Sequence, residues 1–211
     1  MWNPDNKLIK FIPETEWSDP SYHLPHFYEV FAEEADEEDR PFWHEAAAAS
    51  RRYLQAACDE RTGMKLNRGY DGKPHVDESN HWHFYSDAYR TAANIGLDAA
   101  WNGPQEVLCD RVAALQRFFL THDRTSVYAI DGTAVDEVVL HPVGFLAATA
   151  QGALRGAFGQ PDAEHNAREW VRMLWNTPMR TGTRRYYDNF LYAFAMLALA
   201  ESIGMNDDYL N

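Results

Sequence analysis

The sequence predicts an all-α protein built from helical hairpins, with one small β-hairpin inserted between two of them. From about residue 20 onward, apolar residues recur with the period of a helix rather than a strand. Glycine and proline fall mostly between these periodic segments. The chain has 211 residues, 45% of them hydrophobic and 14% aromatic, which is enough for one sizeable core. We therefore treat residues 1–211 as a single domain.

The first hairpin is predicted from the segment that begins at Ser18-Asp19-Pro20. This tripeptide offers an N-cap oxygen ahead of a proline, so a helix should run from about Tyr22 to Ala35. Asp39 caps a second helix, which should stop before Thr62-Gly63. The loop from Gly63 to about His81 is longer than most connections in compact domains and could roof a site.

Two more hairpins and a long last helix follow. Their predicted helices are Trp82–Ala100, Gln105–His122, Val143–Leu154, Ala163–Trp175 and the largely apolar Arg185–Ile203. Between the second and third pairs, Val127–Val135 resembles two short strands around an Asp131-Gly132 turn. The first helix of each pair is the more uniformly apolar and must be buried. Seven helices in the inner and outer rings of a toroid fit this pattern, and an open solenoid is the alternative.

Composition and charge exclude several classes of function. Asp and Glu number 32 against 19 Lys and Arg, and the net charge of -13 opposes binding to nucleic acid or anionic lipid. No apolar run is long enough to span a membrane and the first residues lack a signal pattern, so we expect a cytoplasmic protein. Cys58 and Cys109 are predicted to be free, half-buried thiols. No GxSxG, Walker, GxGxxG or HExxH motif is present.

The segment His81–Arg90 is the most unusual, because it places Asp87 and Arg90 in the first turns of a helix otherwise suited to burial. A buried carboxylate is costly unless it is paired or used. Asp87 is therefore either the ion-pair partner of Arg90, three residues away, or a carboxyl group at the rim of a cleft lined by aromatic residues. Such aromatic platforms beside carboxylates are typical of carbohydrate hydrolysis.

Two further polar residues are candidates for the same region. Tyr22 begins the first helix and should lie at the same end of the bundle as Asp87, where its hydroxyl could bond a water or a sugar. Otherwise Tyr22 and Tyr28 are boundary aromatics with solvated hydroxyls. His141 lies between the strands and a helix, and it is either a hydrogen-bonding group at a cleft edge or a residue held only by packing.

Two other clusters have structural explanations. Arg184 and Arg185 could serve sugar hydroxyls, but they are more easily explained as partners of a local acid such as Asp188.

The nine histidines raise the question of a metal. The candidates are His75, His81 and His83 near Asp77, and the pair His23 and His26. Their spacing fits no named zinc motif, so we expect no metal and no cofactor.

Several ordered blocks carry a resemblance to a known family. They are residues 5–13 (DNKLIKFIP), 18–29 (SDPSYHLPHFYE), 86–98 with SDAYR and ANIGLD, 140–144 (LHPVG) and 175–189. Together they closely resemble glycoside hydrolase family 8, and within it the reducing-end xylose-releasing exo-oligoxylanases. The resemblance implies an (α/α)6 toroid of six hairpins and metal-free, inverting hydrolysis of β-1,4 bonds in xylo-oligosaccharides. It implies that Asp87 is the general base, that Tyr22 helps hold the water and that His141 lies near the reducing-end side.

The resemblance also implies that part of the enzyme lies elsewhere. Members of the family are longer, their general acid lies in the N-terminal half, and no glutamate here matches its motif. This chain resembles the C-terminal part, with about seven of twelve helices. Its exposed inner surface would favour pairing with the N-terminal half or self-association. The alternatives are a non-catalytic carbohydrate-binding remnant and an endo-acting xylanase, cellulase or chitosanase of the family. Another toroid enzyme such as a sugar epimerase fits the ordered motifs less well.

Overall fold

The computed structural model describes residues 1–65, 68–69, 83–156 and 161–203. Within these ranges the chain forms seven α-helices, and this confirms the predicted class and number. They are α1 (Pro25–Glu34), α2 (Arg40–Ala57), α3 (Arg90–Asn102), α4 (Glu106–Thr121), α5 (Pro142–Gln151), α6 (Pro161–Trp175) and α7 (Arg185–Ile203). Single 3-10 turns lie at Pro20–Tyr22, Ser86–Tyr89 and Gly152–Arg155.

The helices form two layers. Helix α1 packs on α3, α3 on α5 and α5 on α7, while α2, α4 and α6 pack behind them. The indole of Trp170 in α6 is fully buried between the layers and donates a hydrogen bond from Nε1 to the Gln116 carbonyl at 3.0 Å. Gly96 allows α3 to approach the end of α5, because a Cβ there would lie 2.6 Å from the Gln151 carbonyl oxygen. This order of packing confirms the predicted alternation of inner and outer helices.

The third predicted helix begins at Arg90, so the expected start at Trp82 is wrong. His83–Phe84 instead forms a strand, β3, which pairs with β4 (Ser126–Ala129), and β4 pairs with β5 (Ala134–Val138). The predicted β-hairpin is therefore part of a three-stranded antiparallel sheet. The side chain of Phe84 is buried against Phe119, and this tertiary contact outweighs the local helical pattern.

The first helix also begins later than predicted, at Pro25 rather than Tyr22. Asp19 does supply the expected cap, but to the 3-10 turn: its Oδ1 accepts a hydrogen bond from the Ser21 amide at 2.7 Å. Just before this turn, Trp17–Ser18 (β1) pairs with Arg68–Gly69 (β2).

The second helix ends at Ala57, before Thr62-Gly63 as predicted. Asp59 starts a turn in which its Oδ1 accepts hydrogen bonds from the amides of Arg61 and Thr62. Cys58 and Cys109 are both buried rather than half-buried as predicted; Cys58 directly follows α2 and Cys109 lies within α4.

Helix α7 is not buried on all sides, although its apolar sequence predicted that it would be. It exposes a stripe of large apolar side chains, which we call the α7 face: Tyr186, Phe190, Phe194 and Leu197. A second stripe, the α1 face, consists of Phe27, Val30 and Phe31 with Trp101 beside them. Both belong to helices of the inner layer, as expected for an incomplete ring. No described helix is long and apolar enough to cross a membrane.

Candidate active site

The three residues singled out by sequence lie close together, where the first turns of α3, α5 and α7 meet the 3-10 turn Pro20–Tyr22. Asp87 lies in the 3-10 turn that leads into α3, and His141 is the N-cap residue of α5. Tyr22 ends the Pro20–Tyr22 turn. The fold thus brings residues from distant parts of the chain to one end of the inner layer.

Asp87 is an accessible carboxylate that is also paired. Arg90 Nη2 lies 3.1 Å from Asp87 Oδ1, so the predicted ion pair forms. The Asp87 side chain is still 53% exposed. Asp87 lies in the 3-10 turn Ser86–Tyr89 rather than in the first turns of a helix, and its side chain faces solvent. The pair is consequently weak as a stabilising contact, and the carboxylate remains open to water.

Tyr22 is half-buried beside this pair. Its ring lies 5.7 Å from the Arg90 guanidinium carbon and stacks on Phe11 with centroids 5.5 Å apart. Burial raises the pKa of the Tyr22 phenol, the negative charges of Asp19 and Asp87 raise it further, and Arg90 lowers it. The phenol therefore stays protonated at neutral pH and can donate a hydrogen bond.

Tyr28, by contrast, is buried and does not have the solvated hydroxyl expected of a boundary residue. Its hydroxyl donates to the carbonyl oxygen of Tyr22 at 3.0 Å, and burial raises its pKa to about 12. Tyr28 thus supports the backbone of the turn that carries Tyr22.

His141 is oriented by a fully buried carboxylate. Its Nδ1 lies 3.1 Å from Asp188 Oδ2, and Asp188 also accepts hydrogen bonds from the Gly144 amide at 2.6 Å and from Arg180 Nη1 at 2.5 Å. A carboxylate partner places the proton on Nδ1 and leaves Nε2 for a second interaction. His141 is accordingly held by a hydrogen bond as well as by packing.

Tyr187 connects His141 to the turn that carries Asp87. Its ring lies 4.5 Å from the imidazole of His141, and its hydroxyl donates to the Ser86 carbonyl at 3.0 Å. Burial raises the pKa of this phenol, so it too remains a donor.

The predicted pairing of Asp188 with Arg184 or Arg185 is wrong. The cationic partner is Arg180, whose backbone is held to Asn189 by two hydrogen bonds, of 2.8 and 2.9 Å. Arg185 instead donates to the Gly182 carbonyl. The loop before α7 folds back over its first turn, and this places the more distant arginine on the carboxylate.

The described residues include no group of three or more His, Cys, Asp or Glu able to hold a metal ion. His23 lies between two serine hydroxyls, those of Ser18 at 2.8 Å and Ser50 at 2.9 Å. Burial lowers the pKa of His23 to about 3, so the imidazole is neutral. His75, Asp77 and His81 lie outside the described residues.

No family model matches the sequence. Over 202 residues the chain is 94% identical to the reducing end xylose-releasing exo-oligoxylanase of Bifidobacterium adolescentis. It is 55% identical over 203 residues to the protein of the same name from Halalkalibacterium halodurans. The chain is a close homologue of part of these exo-oligoxylanases. The alignments cover 95% of this chain but only 53% and 51% of the relatives, so it spans about half their length.

Solved exo-oligoxylanase structures agree with this relationship. A crystal structure of a reducing-end-xylose releasing exo-oligoxylanase matches with a TM-score of 0.87 and 55% identity, over 94% of this chain and 52% of that chain. A variant of that protein solved in complex with xylobiose matches equally well. These matches confirm the predicted resemblance to the exo-oligoxylanases and the helical fold, and they confirm that the relatives are considerably longer.

Sequence reasoning missed several residues at this site of the exo-oligoxylanase homologue. No sequence pattern identifies Arg180, Ser21 or Asn94, and the pattern around Asp19 predicts only a helix cap. Asn94 donates from Nδ2 to the Ser21 carbonyl, and this contact joins segments 73 residues apart. For Asn94, the local signal is a polar residue on the apolar inner helix α3.

Proposed function

We propose that the enzyme to which this chain contributes hydrolyses β-1,4 bonds of xylo-oligosaccharides and releases xylose from the reducing end with inversion. The observation that carries the proposal is the 94% identity, over 202 residues, to a protein named for that activity. The grouping of Asp87, Tyr22 and His141 at one site supports it. A neutral sugar also suits a chain with a net charge of -13, which would repel an anionic ligand.

In this proposal Asp87 is the general base. Its exposed carboxylate takes a proton from a water molecule as the water oxygen bonds to the anomeric carbon. The bond from that carbon to the leaving xylose breaks in the same step, and the leaving oxygen takes a proton from a general acid. An inverting site needs its two carboxyl groups about 6.5–9.5 Å apart so that the water fits between them. Tyr22 holds the water, and His141 contacts the sugar at the reducing end.

We propose further that the general acid comes from the half of the enzyme that this chain does not span. No glutamate of the chain matches the family's acid motif. Loss of leaving-group protonation slows hydrolysis by about 10²–10⁴-fold. The same half would cover the α1 face and the α7 face, since exposed apolar stripes of this size favour association.

A carbohydrate-binding role without catalysis is the second candidate. Two observations favour it. The chain covers only 53% of its Bifidobacterium relative, and the polar and aromatic side chains around Asp87 are nevertheless all present. Such a protein would bind xylo-oligosaccharides and leave them uncleaved.

The deciding experiment incubates xylotriose with the purified 211-residue chain, alone and mixed with the complementary half of the Bifidobacterium exo-oligoxylanase. Proton NMR follows the anomeric signals, and Asp87→Asn in the same mixture is the control. Xylose release with the new end of xylobiose appearing first as the α-anomer supports the proposal. A stable complex that binds xylotriose without cleaving it refutes hydrolysis and supports the binding role.

A further inference from the structure

Ser21 is the middle residue of the 3-10 turn that carries Tyr22, and all of its polar groups are engaged. Its amide donates to Asp19 Oδ1 at 2.7 Å, and its hydroxyl accepts from Arg90 Nη2 at 2.9 Å. Its carbonyl accepts from Asn94 Nδ2 at 3.0 Å. Ser21 and Asp19 are both buried. The turn therefore cannot shift relative to α3 without breaking partly buried hydrogen bonds, which is costly.

A single nitrogen joins this turn to the carboxylate of Asp87. Arg90 Nη2 lies 2.9 Å from Ser21 Oγ and 3.1 Å from Asp87 Oδ1. A guanidinium amino group carries two hydrogens in a fixed plane, so it can serve both oxygens at once. The same guanidinium lies 5.7 Å from the centre of the Tyr22 ring.

Helix α3 holds the turn at a second point. Asn94 lies one helical turn after Arg90, and its side chain reaches the carbonyl oxygens of Ser21 and His23 at 3.0 and 3.4 Å. Side chains four residues apart share one face of a helix. One rigid element thus fixes both the Asp87 carboxylate and the turn that ends in Tyr22.

We propose that Arg90 is a positioning residue that, through Ser21, sets the distance between the Asp87 carboxylate and the Tyr22 phenol. The inference rests on the proposed function, in which these two groups hold one water molecule. Rate depends steeply on such placement, because a misplacement of about 1 Å costs about 100-fold. Neither Arg90 nor Ser21 takes part in the bond changes.

We call the two contacts of Arg90 Nη2, with Ser21 Oγ and with Asp87 Oδ1, the bridge. The test substitutes Ser21→Ala in the 211-residue chain, which removes the contact with Ser21 Oγ and removes no charge. Carbon-13 NMR of the tyrosine ζ carbon follows the Tyr22 phenol through its titration. The ionisable groups that act on it are Asp19, Asp87 and Arg90. Because Arg90 lowers the Tyr22 pKa, its release from Ser21 should raise that pKa. Ser18→Ala is the matched control, since this buried hydroxyl of the same segment contacts His23 instead.

An unchanged Tyr22 pKa in folded Ser21→Ala protein, or an equal rise in Ser18→Ala, would overturn the proposal. If Ser21→Ala does not fold, Arg90→Lys decides instead. Lysine keeps the charge but lacks the planar fork. The Tyr22 pKa should rise in Arg90→Lys if the bridge positions the guanidinium. An unchanged Tyr22 pKa would show that a positive charge at this position is enough to set it, and this result would overturn the proposal.

A second measurement separates this inference from the proposed function. In a mixture that cleaves xylotriose, Ser21→Ala should lower kcat by up to about 100-fold, with KM changed by less than about twofold. A parallel rise in KM with unchanged kcat would contradict positioning of the water. A stable wild-type complex that binds xylotriose without turnover refutes hydrolysis, whereas the titration tests the contacts of Arg90 without requiring turnover.

Discussion

Leu197 on the α7 face allows the proposed assembly to be tested without disturbing the fold. Its side chain is 69% exposed, so Leu197→Asp removes few contacts from the chain on its own. Exposed substitutions usually change the free energy of unfolding by no more than about 0.5 kcal/mol, and the lower helix propensity of aspartate adds a few tenths. We expect the melting temperature of the isolated variant to stay within a few degrees of wild type.

The effect on association should be much larger. Burying a leucine completely stabilises by about 1.5–3 kcal/mol, and roughly two thirds of that gain is still available at Leu197. An unpaired carboxylate buried in its place costs several kcal/mol more. The complex with the complementary half should therefore weaken by at least about 3 kcal/mol, which corresponds to a Kd more than about 100-fold higher.

Isothermal titration calorimetry of the chain against the complementary half measures this Kd. Val138→Asp is the matched control, because Val138 is an apolar residue that is 76% exposed and lies on β5 rather than on α1 or α7. A Kd unchanged in Leu197→Asp, or raised equally in Val138→Asp, would refute the assignment of the α7 face. Dimers of the chain that dissociate in Leu197→Asp would instead identify a second copy as the occupant.

Three further predictions concern the site and its surroundings. Asp87→Asn should reduce xylose release by about 10²–10⁴-fold in an active mixture while xylobiose binding, followed by calorimetry, persists; retention of full turnover would contradict the general-base role. Asp188→Ala should lower the free energy of unfolding by about 3–5 kcal/mol, because it leaves Arg180 and His141 without their buried partner, and urea denaturation measures the loss. The pKa of His23 is lowered to about 3 in the folded chain, whereas the unfolded chain takes up a proton near pH 6.5. Folded stability should therefore fall as the pH drops below 6.5, by about 1.4 kcal/mol per unit for this residue, and His23→Gln should flatten that dependence in urea titrations at pH 7 and 5.

The helices were predictable because their signals are local. Apolar periodicity gave seven helices, and α7 begins and ends where the sequence predicts, at Arg185 and Ile203. Asp19 was correctly identified as a capping residue. The start of α3 could not be predicted, because His83–Phe84 becomes a strand only through its partner at Tyr128–Ala129, far along the chain.

The site was predictable only in part, for the same reason. Periodicity placed Asp87 and Tyr22 at one end of the bundle, but their functional roles came from family resemblance and stay predictions. Nearness in sequence favoured Arg184 or Arg185 as the partner of Asp188, whereas the folded loop supplies Arg180. The hydrogen bond from Tyr187 to Ser86 joins residues 101 positions apart, a distance that no local pattern reveals.

The pairing of β3 with β4 has a consequence for how the molecule assembles. Helices α3 and α4 lie between these strands in the sequence, so the pairing closes a long loop. The conformational entropy of that loop is lost before the hydrogen bonds between the strands can form. Contacts within helices form early, whereas such non-local pairing is slow. The turn that carries Asp87 follows β3 directly, and we therefore expect this carboxylate to reach its place late in folding. For the same reason, fraying of the three short strands would loosen the segment that enters the Asp87 turn while leaving the helical layers and the contacts of Arg90 intact.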